Sequence, residues 1–325
     1  GPMCATPSSN EREPATAAEA TPRVSILIVT WNRRDDLMKS IRSALAQTQN
    51  DCEVVVVDNA STDGTAEAVA REFPGVRLIR YYKNLGCPSG RNVGFANCYG
   101  EYVYLLDDDG WLEPDAVSHA VARADADPSI AVVTSRIREV EGERVVRDRP
   151  PEWTAPAVVH SFVGCCSLLR LKALDEAGAF PDDFFRQAEE DDLALRLLEA
   201  GWRCFFEPTS IMYHRPSPVG RSRAAFLYYG LRNTMKTGLR LWPFPMCLGR
   251  VAVNFGHAFK AAFTRGWLHL PVMLAGALAK ELWGLRRRRR PVRRETFATF
   301  RRLKRQPEEA PPPKDPSPGR SRDSG

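Results

Sequence analysis

Val103-Tyr-Leu-Leu-Asp-Asp-Asp-Gly110 is the stretch that decides the fold. An apolar, aromatic-rich run ends abruptly in three carboxylates and a glycine. A continuous apolar run of this length, bounded by a turn signal, fits a parallel strand covered on both faces. In an open α/β sheet, ligands bind in the crevice outside the carboxyl ends of the strands. Asp107, Asp108 and Asp109 fall at such an end. Three adjacent like charges repel one another, and they tolerate burial only where a cation offsets the desolvation cost. Oxygen-only ligands suit Mg²⁺ or Mn²⁺, and Mg²⁺ usually takes one or two carboxylates plus substrate phosphates. The triplet alone therefore has two readings, a metal–diphosphate site and a solvated acidic turn.

The flanking sequence repeats the strand-then-helix pattern. Upstream, Arg23-Val-Ser-Ile-Leu-Ile-Val-Thr30 and Glu53-Val-Val-Val-Val-Asp58 read as buried strands. Each runs into a polar loop and then a helical pattern, Arg34–Gln47 after the first and Thr65–Glu72 after the second. Val76–Tyr82 gives a third strand, and the loop from Asn84 to Asn92 leads into a short helix reaching Cys98. Downstream come a helix over Glu113–Ala126 and a strand over Ile130–Thr134. Residues 136–157 are charged and Pro-rich, with no clear element. Val158–Arg170 reads as a strand, Phe180–Gln187 as an aromatic loop and Ala188–Ala200 as a helix. Trp202–Phe206 and Ile211–His214 read as short strands, and after Pro218 the pattern is helical to about Leu285. Strands alternating with helices predict an α/β fold with a Rossmann-like, mainly parallel sheet flanked by helices. A C-terminal helical extension follows it. The expected divisions are a disordered segment 1–22 that opens on a tag scar, a catalytic domain 23–220, a helical region 221–290 and a basic disordered tail 291–325.

The 325 residues are 43% hydrophobic and 26% charged, which permits a full core. Eight cysteines lack any CxxC spacing, and Cys165-Cys166 sit in an apolar run, as buried thiols do. That usage points to the cytoplasm. The net charge of +6 is concentrated near the C-terminus, where Arg286 to Arg290 are consecutive. No nucleic-acid fold signature accompanies this run, so no nucleic-acid partner is expected. Leu270–Leu285 carries apolar residues toward one side but is interrupted by Lys280 and Glu281, so a spanning helix is not expected. Two readings remain: a helix packed on the catalytic body, or an interfacial helix beside a polybasic run, with Trp242, Trp267 and Trp283 nearby. The second implies an anionic membrane surface and a peripheral position at the inner face of the cell membrane.

With these segments in place, the chain resembles the family 2 glycosyltransferases, inverting enzymes with the GT-A fold. The matching pieces, in the family's order, are Val24-Ser-Ile-Leu-Ile-Val-Thr-Trp-Asn-Arg33, Val56-Val-Asp-Asn-Ala-Ser-Thr-Asp-Gly-Thr65, Asn84-Leu-Gly86, Leu105-Leu-Asp-Asp-Asp-Gly110, Phe184-Phe-Arg-Gln-Ala-Glu-Glu-Asp-Asp-Leu193 and Met212-Tyr-His214. Within the family, bacterial rhamnosyltransferase-type members are the most similar. The resemblance implies a nucleoside diphosphate sugar donor, dTDP- or UDP-linked, with dTDP-L-rhamnose as one candidate. It also implies a glycan or lipid-linked acceptor and Mn²⁺ or Mg²⁺ as cofactor. It assigns Asp58 to the N3–H of a uracil or thymine, and Thr30, Asn32, Arg33 and Arg91 to nucleotide contacts. Asp109 is implied as metal ligand, Asp107 toward ribose or metal, Asp108 toward the nucleotide, and His214 as completing the metal shell. A structural reading stands beside each: Asp58 as a turn cap, Arg91 as a surface arginine, His214 as an ordinary buried histidine.

The family writes its catalytic motif Glu-Asp-x-Asp-Leu, with the aspartate as base. Here Glu189-Glu190-Asp191-Asp192-Leu193 places Glu190 at that position, one methylene longer, and leaves the base between Glu190 and Glu189. Helix-dipole capping is the rival explanation, but that gain of about 0.3–1 kcal/mol per charge does not call for four acids. Two rival functions use the same residues differently: a nucleotidyltransferase, and a nucleotide-sugar-binding scaffold without activity.

Overall fold

A computed structural model describes residues 21–150, 153–217 and 222–309. The disordered segments expected before residue 23 and beyond 309 lie almost wholly outside these residues, as does Pro218. In chain order the elements are β1 (Val24–Thr30), α1 (Arg34–Leu45), β2 (Cys52–Asp58), α2 (Thr65–Glu72), β3 (Arg77–Arg80), α3 (Cys87–Phe95), β4 (Tyr102–Asp107) and β5 (Gly110–Leu112). Then follow α4 (Ala116–Ala126), β6 (Ile130–Glu141), β7 (Arg144–Arg149), β8 (Ala157–Val159), β9 (Cys166–Arg170), α5 (Leu171–Ala177), α6 (Glu189–Glu199) and β10 (Arg203–His214). The chain finishes with α7 (Arg223–Leu241), α8 (Met246–Arg265), α9 (His269–Arg288), α10 (Arg294–Arg305) and β11 (Glu308–Glu309).

The sheet order is β11-β8-β10-β6-β9-β4-β1-β2-β3, with β5 on β10 and β7 on β6. The run β4-β1-β2-β3 is parallel, as the buried apolar strands predict. Successive side chains of a strand face opposite sides. Val24, Ile26 and Ile28 accordingly pack with α1, α2 and α4, while Leu27 packs on the side that holds α6 and α10. A third apolar cluster joins α7, α8 and α9 through Leu231, Met235, Leu239, Ala258, Leu270 and Leu274.

Four local expectations need correction. Residues 136–157 are not featureless: β6 continues to Glu141 and turns back as β7. The charges that hid this hairpin are paired across it, Arg147 and Arg149 on Glu139 and Arg136 on Asp148. The strand expected over Val158–Arg170 is two strands, β8 and β9, parted by a loop at Gly164. The two short strands before His214 are one strand, β10, irregular between Glu207 and Ile211. The first part of the basic tail is not disordered, because Phe297, Phe300 and Leu303 give α10 a buried stripe, and Lys304 pairs with Asp191.

The helical extension is tied to the sheet domain by a partly buried ion network. Arg240 on α7 donates to Glu281 on α9 (2.7 and 2.7 Å) and to Asp183 in the loop before α6 (2.9 and 2.6 Å). Removing one partner of a buried pair leaves an uncompensated charge, and that is the costly case. Arg240→Ala is therefore expected to lower the unfolding free energy by about 3–5 kcal/mol, read by urea denaturation. Combining Arg240→Met with Glu281→Leu recovers most of that loss.

Candidate active site

The parallel strands end together. Thr30 is in register with Asp58, and Val29 with Asp107, so three motif-bearing strand ends open on one side of the sheet. A cleft of about 430 Å³ lies there, lined by Thr30, Trp31, Arg33, Asp107, Asp108 and Tyr229 among others. A larger hollow of about 630 Å³, against Trp153 and the end of α10, holds none of the motif residues.

The acidic turn after β4 is held from three sides. The Ser40 hydroxyl on α1 donates to the Asp108 carbonyl (2.9 Å). β5 pairs antiparallel with β10 and sets Gly110 opposite His214. Gly110 keeps the turn close to β10, since a Cβ there would stand 1.8 Å from the Met212 methyl and displace it. That close approach brings His214 Nε2 to 3.0 Å from Asp109 Oδ1.

The three aspartates have different surroundings. Asp108 accepts from Thr30 Oγ1 (2.9 Å) and Arg33 (2.7 Å), so its carboxylate is held by the chain itself. Burial, with Asp109 and Asp107 adjacent, pushes it up to about 7 against the pull of Arg33. Asp109 accepts from His214 and the Ser217 N–H (2.9 Å). Burial works to raise it, but His214, Arg33 and Ser217 outweigh burial and hold it below the usual carboxylate range. Asp107 is only partly buried and receives Arg91 at 3.1 Å.

Asp107, Asp109 and His214 each offer a ligand atom, all within 4.8 Å of one another. The buried Nδ1 of His214 has no hydrogen-bond partner. Two carboxylates and an imidazole fit a divalent cation such as Mn²⁺ or Mg²⁺.

The second acidic motif opens α6. Gln187 and Ala188 both take positive φ (73° and 60°), an unfavourable conformation for side-chain-bearing residues. Asn233 on α7, fully buried, stabilises that turn by donating to the carbonyls of Arg186 and Gln187 (2.8 and 2.8 Å). Four consecutive acids then meet four environments. Glu189 is buried beside Arg91 (3.4 Å), and burial with the neighbouring Glu190 charge pushes it up to about 8. Asp191 pairs with Lys304, and Asp192 accepts from Arg196 (2.9 Å) and Thr237 (3.0 Å). Glu190 alone of the four has no salt bridge among the described residues. It accepts the Gly164 N–H (3.2 Å), is half-buried, and is raised by desolvation.

Arg91 is not the surface residue that one reading allowed. It is 4% exposed, joins Glu189 to Asp107, and lies over the Phe180 ring at 5.6 Å. Asp58 is buried and caps its own turn, accepting the Ser61 N–H at 3.0 Å. Asn32, at φ 53°, accepts the Thr62 N–H at 2.7 Å and so joins the loops after β1 and β2. Thr30, Arg33, Arg91, Asp107, Asp108, Asp109, His214 and Glu189 thus form one connected cluster, reached by Glu190 through Gly164. Asp58 and Asn32 stand one loop away.

Sequence reasoning missed three supports. Asn59 bonds both Leu85 N–H and the Gly86 carbonyl (3.0 and 3.1 Å), and fixes the Asn84–Gly86 loop. Ser40 gives no signal in a helical pattern. Asn233 lies in the helical stretch after Pro218, where no sequence signal points to its partner.

Comparison with known proteins agrees with this geometry. Residues 25–178 match the model of Glycosyl transferase family 2. The succinoglycan biosynthesis protein ExoO of Rhizobium meliloti (strain 1021) is 31% identical over 216 residues, covering 61% of this chain and 62% of that protein. The N-acetylglucosaminyl-diphospho-decaprenol L-rhamnosyltransferase of Mycobacterium tuberculosis (strain CDC 1551 / Oshkosh) is 24% identical over 243 residues, 62% of this chain and 79% of that one. This chain therefore spans somewhat less than two thirds of the first relative. Among solved structures, the mannosyltransferase PcManGT of Pyrobaculum calidifontis in complex with GDP-Man and Mn²⁺ superposes with a TM-score of 0.54 at 21% identity, covering 81% of this chain and 88% of that one. S. aureus TarS 1-349 in complex with UDP gives 0.56 at 21% identity, over 76% and 74%. These superpositions show the expected α/β fold, shared with glycosyltransferase structures. The match over residues 25–178 makes this stretch, somewhat less than half of the chain, similar to a family 2 glycosyltransferase domain.

Proposed function

We propose that the chain is an inverting glycosyltransferase of polysaccharide synthesis. It moves a sugar from a nucleoside diphosphate donor to a hydroxyl of a glycan or lipid-linked acceptor. The observation that carries this is the joining of two acidic motifs by one buried arginine, since Arg91 pairs with Asp107 at the strand ends and with Glu189 at the start of α6. The Asp107–Asp109–His214 cluster faces the donor side, Glu190 faces the acceptor side, and Arg91 joins the motifs. The structures that bind GDP-Man or UDP support a nucleotide-sugar donor. A uridine or thymidine diphosphate is the donor class that the resemblance gives Asp58, whose carboxylate would accept the base N3–H. dTDP-L-rhamnose is the donor that the rhamnosyltransferase relative favours.

The residues perform a single displacement. Glu190 takes the proton of the acceptor hydroxyl as that oxygen attacks C1 of the donor sugar, and the C1–O bond to the diphosphate breaks on the opposite face. Glu190 suits this because burial outweighs the pull of Arg91 and raises its carboxyl, and it forms no salt bridge among the described residues. Glu189 is a positioning residue, holding Arg91 near Asp107, and Arg33 and Thr30 fix Asp108. Mn²⁺ or Mg²⁺ held by Asp107, Asp109 and His214 would neutralise charge on the departing nucleoside diphosphate.

Glu190→Gln is expected to lower kcat by about 10²–10⁴-fold with donor affinity unchanged, measured by transfer assay and calorimetry. Glu189→Gln should weaken donor binding as well, because Arg91 loses an anchor. The reverse pattern would exchange the two roles. Because burial raises Glu190, the base gains its active, deprotonated form only above the ordinary glutamate value of about 4.3. The acid limb of the kcat profile should accordingly lie above that value and disappear in Glu190→Gln. A limb at the ordinary carboxylate position would reject Glu190 as the base.

A further inference from the structure

The helices α8 and α9 pack on each other and on α7, and yet their outward faces are apolar too. Leu270, Leu274 and Ala277 of α9 turn inward, which accounts for the side of this segment that reads as apolar in the sequence. On the opposite side, Val272 is 73% exposed and Trp283 is 94% exposed. On α8, Phe259 is half-exposed and Phe263 is 84% exposed, and Leu268, between the helices, is 71% exposed. In α8, Ala252, Gly256, Phe259 and Phe263 follow one another at spacings of three or four, so they form a stripe along one face. A helix pair that is apolar on both sides has lost the polar face a water-exposed surface requires.

The charges around this face have one sign. From Pro208 to Arg294 the only acidic residue is Glu281, against seventeen lysines and arginines. Glu281 is buried and bonded to Arg240. Lys260, Arg265, Lys280, Arg286 and Arg287 are exposed and rim the apolar stripe. Among the described residues, no helix is long and apolar enough to cross a membrane.

We propose that the outward face of the α8–α9 hairpin lies in the surface of an anionic bilayer. Phe263, Leu268, Val272 and Trp283 enter the acyl boundary, and the basic rim meets lipid phosphates. Apolar insertion with a basic surround is the physical requirement for an interfacial helix, and two helices of 20 residues lying in the plane supply it. An anionic lipid is favoured over a protein partner because the rim is cationic without any acidic counterpart to set a protein register. A second copy of the chain is disfavoured for the same reason, since like rims would face each other. This inference goes beyond the transferase reading and does not depend on it. The hairpin shares α7 with the cleft, where Ala225 and Tyr229 form part of the wall, so a membrane-held acceptor would meet the active site from this side.

The test is co-sedimentation of the full chain with vesicles, without donor or acceptor. Binding to phosphatidylcholine vesicles containing phosphatidylglycerol is expected, weaker on phosphatidylcholine alone and weakened by high salt. The double variant Phe263→Asp, Trp283→Asp should lose at least about tenfold in vesicle affinity. Its urea midpoint should stay unchanged, because both side chains are exposed. Absence of vesicle binding would overturn the proposal, and so would binding equal in the variant. A dimer that the same double variant dissociates, with no vesicle binding, would assign the face to a second copy instead.

Discussion

The buried guanidinium of Arg91 is the interaction on which the site depends. It sits between Glu189 and Asp107, one acid from each acidic motif, in surroundings that would otherwise hold like charges without compensation. Its position is determined by close packing. A Cβ at Gly164 would stand 2.5 Å from Arg91 Nη1 and 2.7 Å from Glu190 Oε1, so a side chain there would displace both groups. Asn92, the next residue on α3, donates to the Phe180 carbonyl (2.8 Å) and so steadies the ring beneath the guanidinium. Gly86, just before α3, takes φ 82° with the Phe185 carbonyl where a side chain would be, so the same loop pair is locked at a second point.

The helical extension belongs to this machinery. One helix, α7, supplies Tyr229 to the cleft, Asn233 to the left-handed turn before α6, Thr237 to Asp192 and Arg240 to Asp183. At the other side of α6, α10 contributes Lys304 to Asp191. The acidic helix is therefore held by the segments that follow the family-matched residues in the chain. A bilayer contact through α8 and α9 would be transmitted to the cleft by the same α7.

Much of this was legible in the sequence for a physical reason. Parallel strands buried on both faces must be continuously apolar, and β1, β2 and β4 announce themselves in that way. Their polar ends then mark the crevice. That Asp107, Asp109 and His214 would lie together came from the resemblance, since the residues alone left a solvated acidic turn and an ordinary buried histidine open. What escaped notice depends on partners distant in sequence. The hairpin β6–β7 was hidden because its charges are satisfied across strands, and α10 because a three-residue apolar stripe is faint among arginines. Whether Arg91 was buried or exposed depended on Gly164 and Phe180, more than 70 residues away.

The central claim is that the cleft at the strand ends receives a nucleoside diphosphate sugar together with a divalent cation. Thermal unfolding across a panel of UDP-, dTDP- and GDP-sugars, in Mn²⁺ and again with chelator, tests it most directly. A ligand bound only by the native state stabilises it by RT ln(1 + [L]/Kd). The account predicts stabilisation by a uridine or thymidine diphosphate sugar that requires the metal and is lost in Asp109→Asn. Cooperative unfolding at the same temperature with every donor, with and without Mn²⁺, would contradict it.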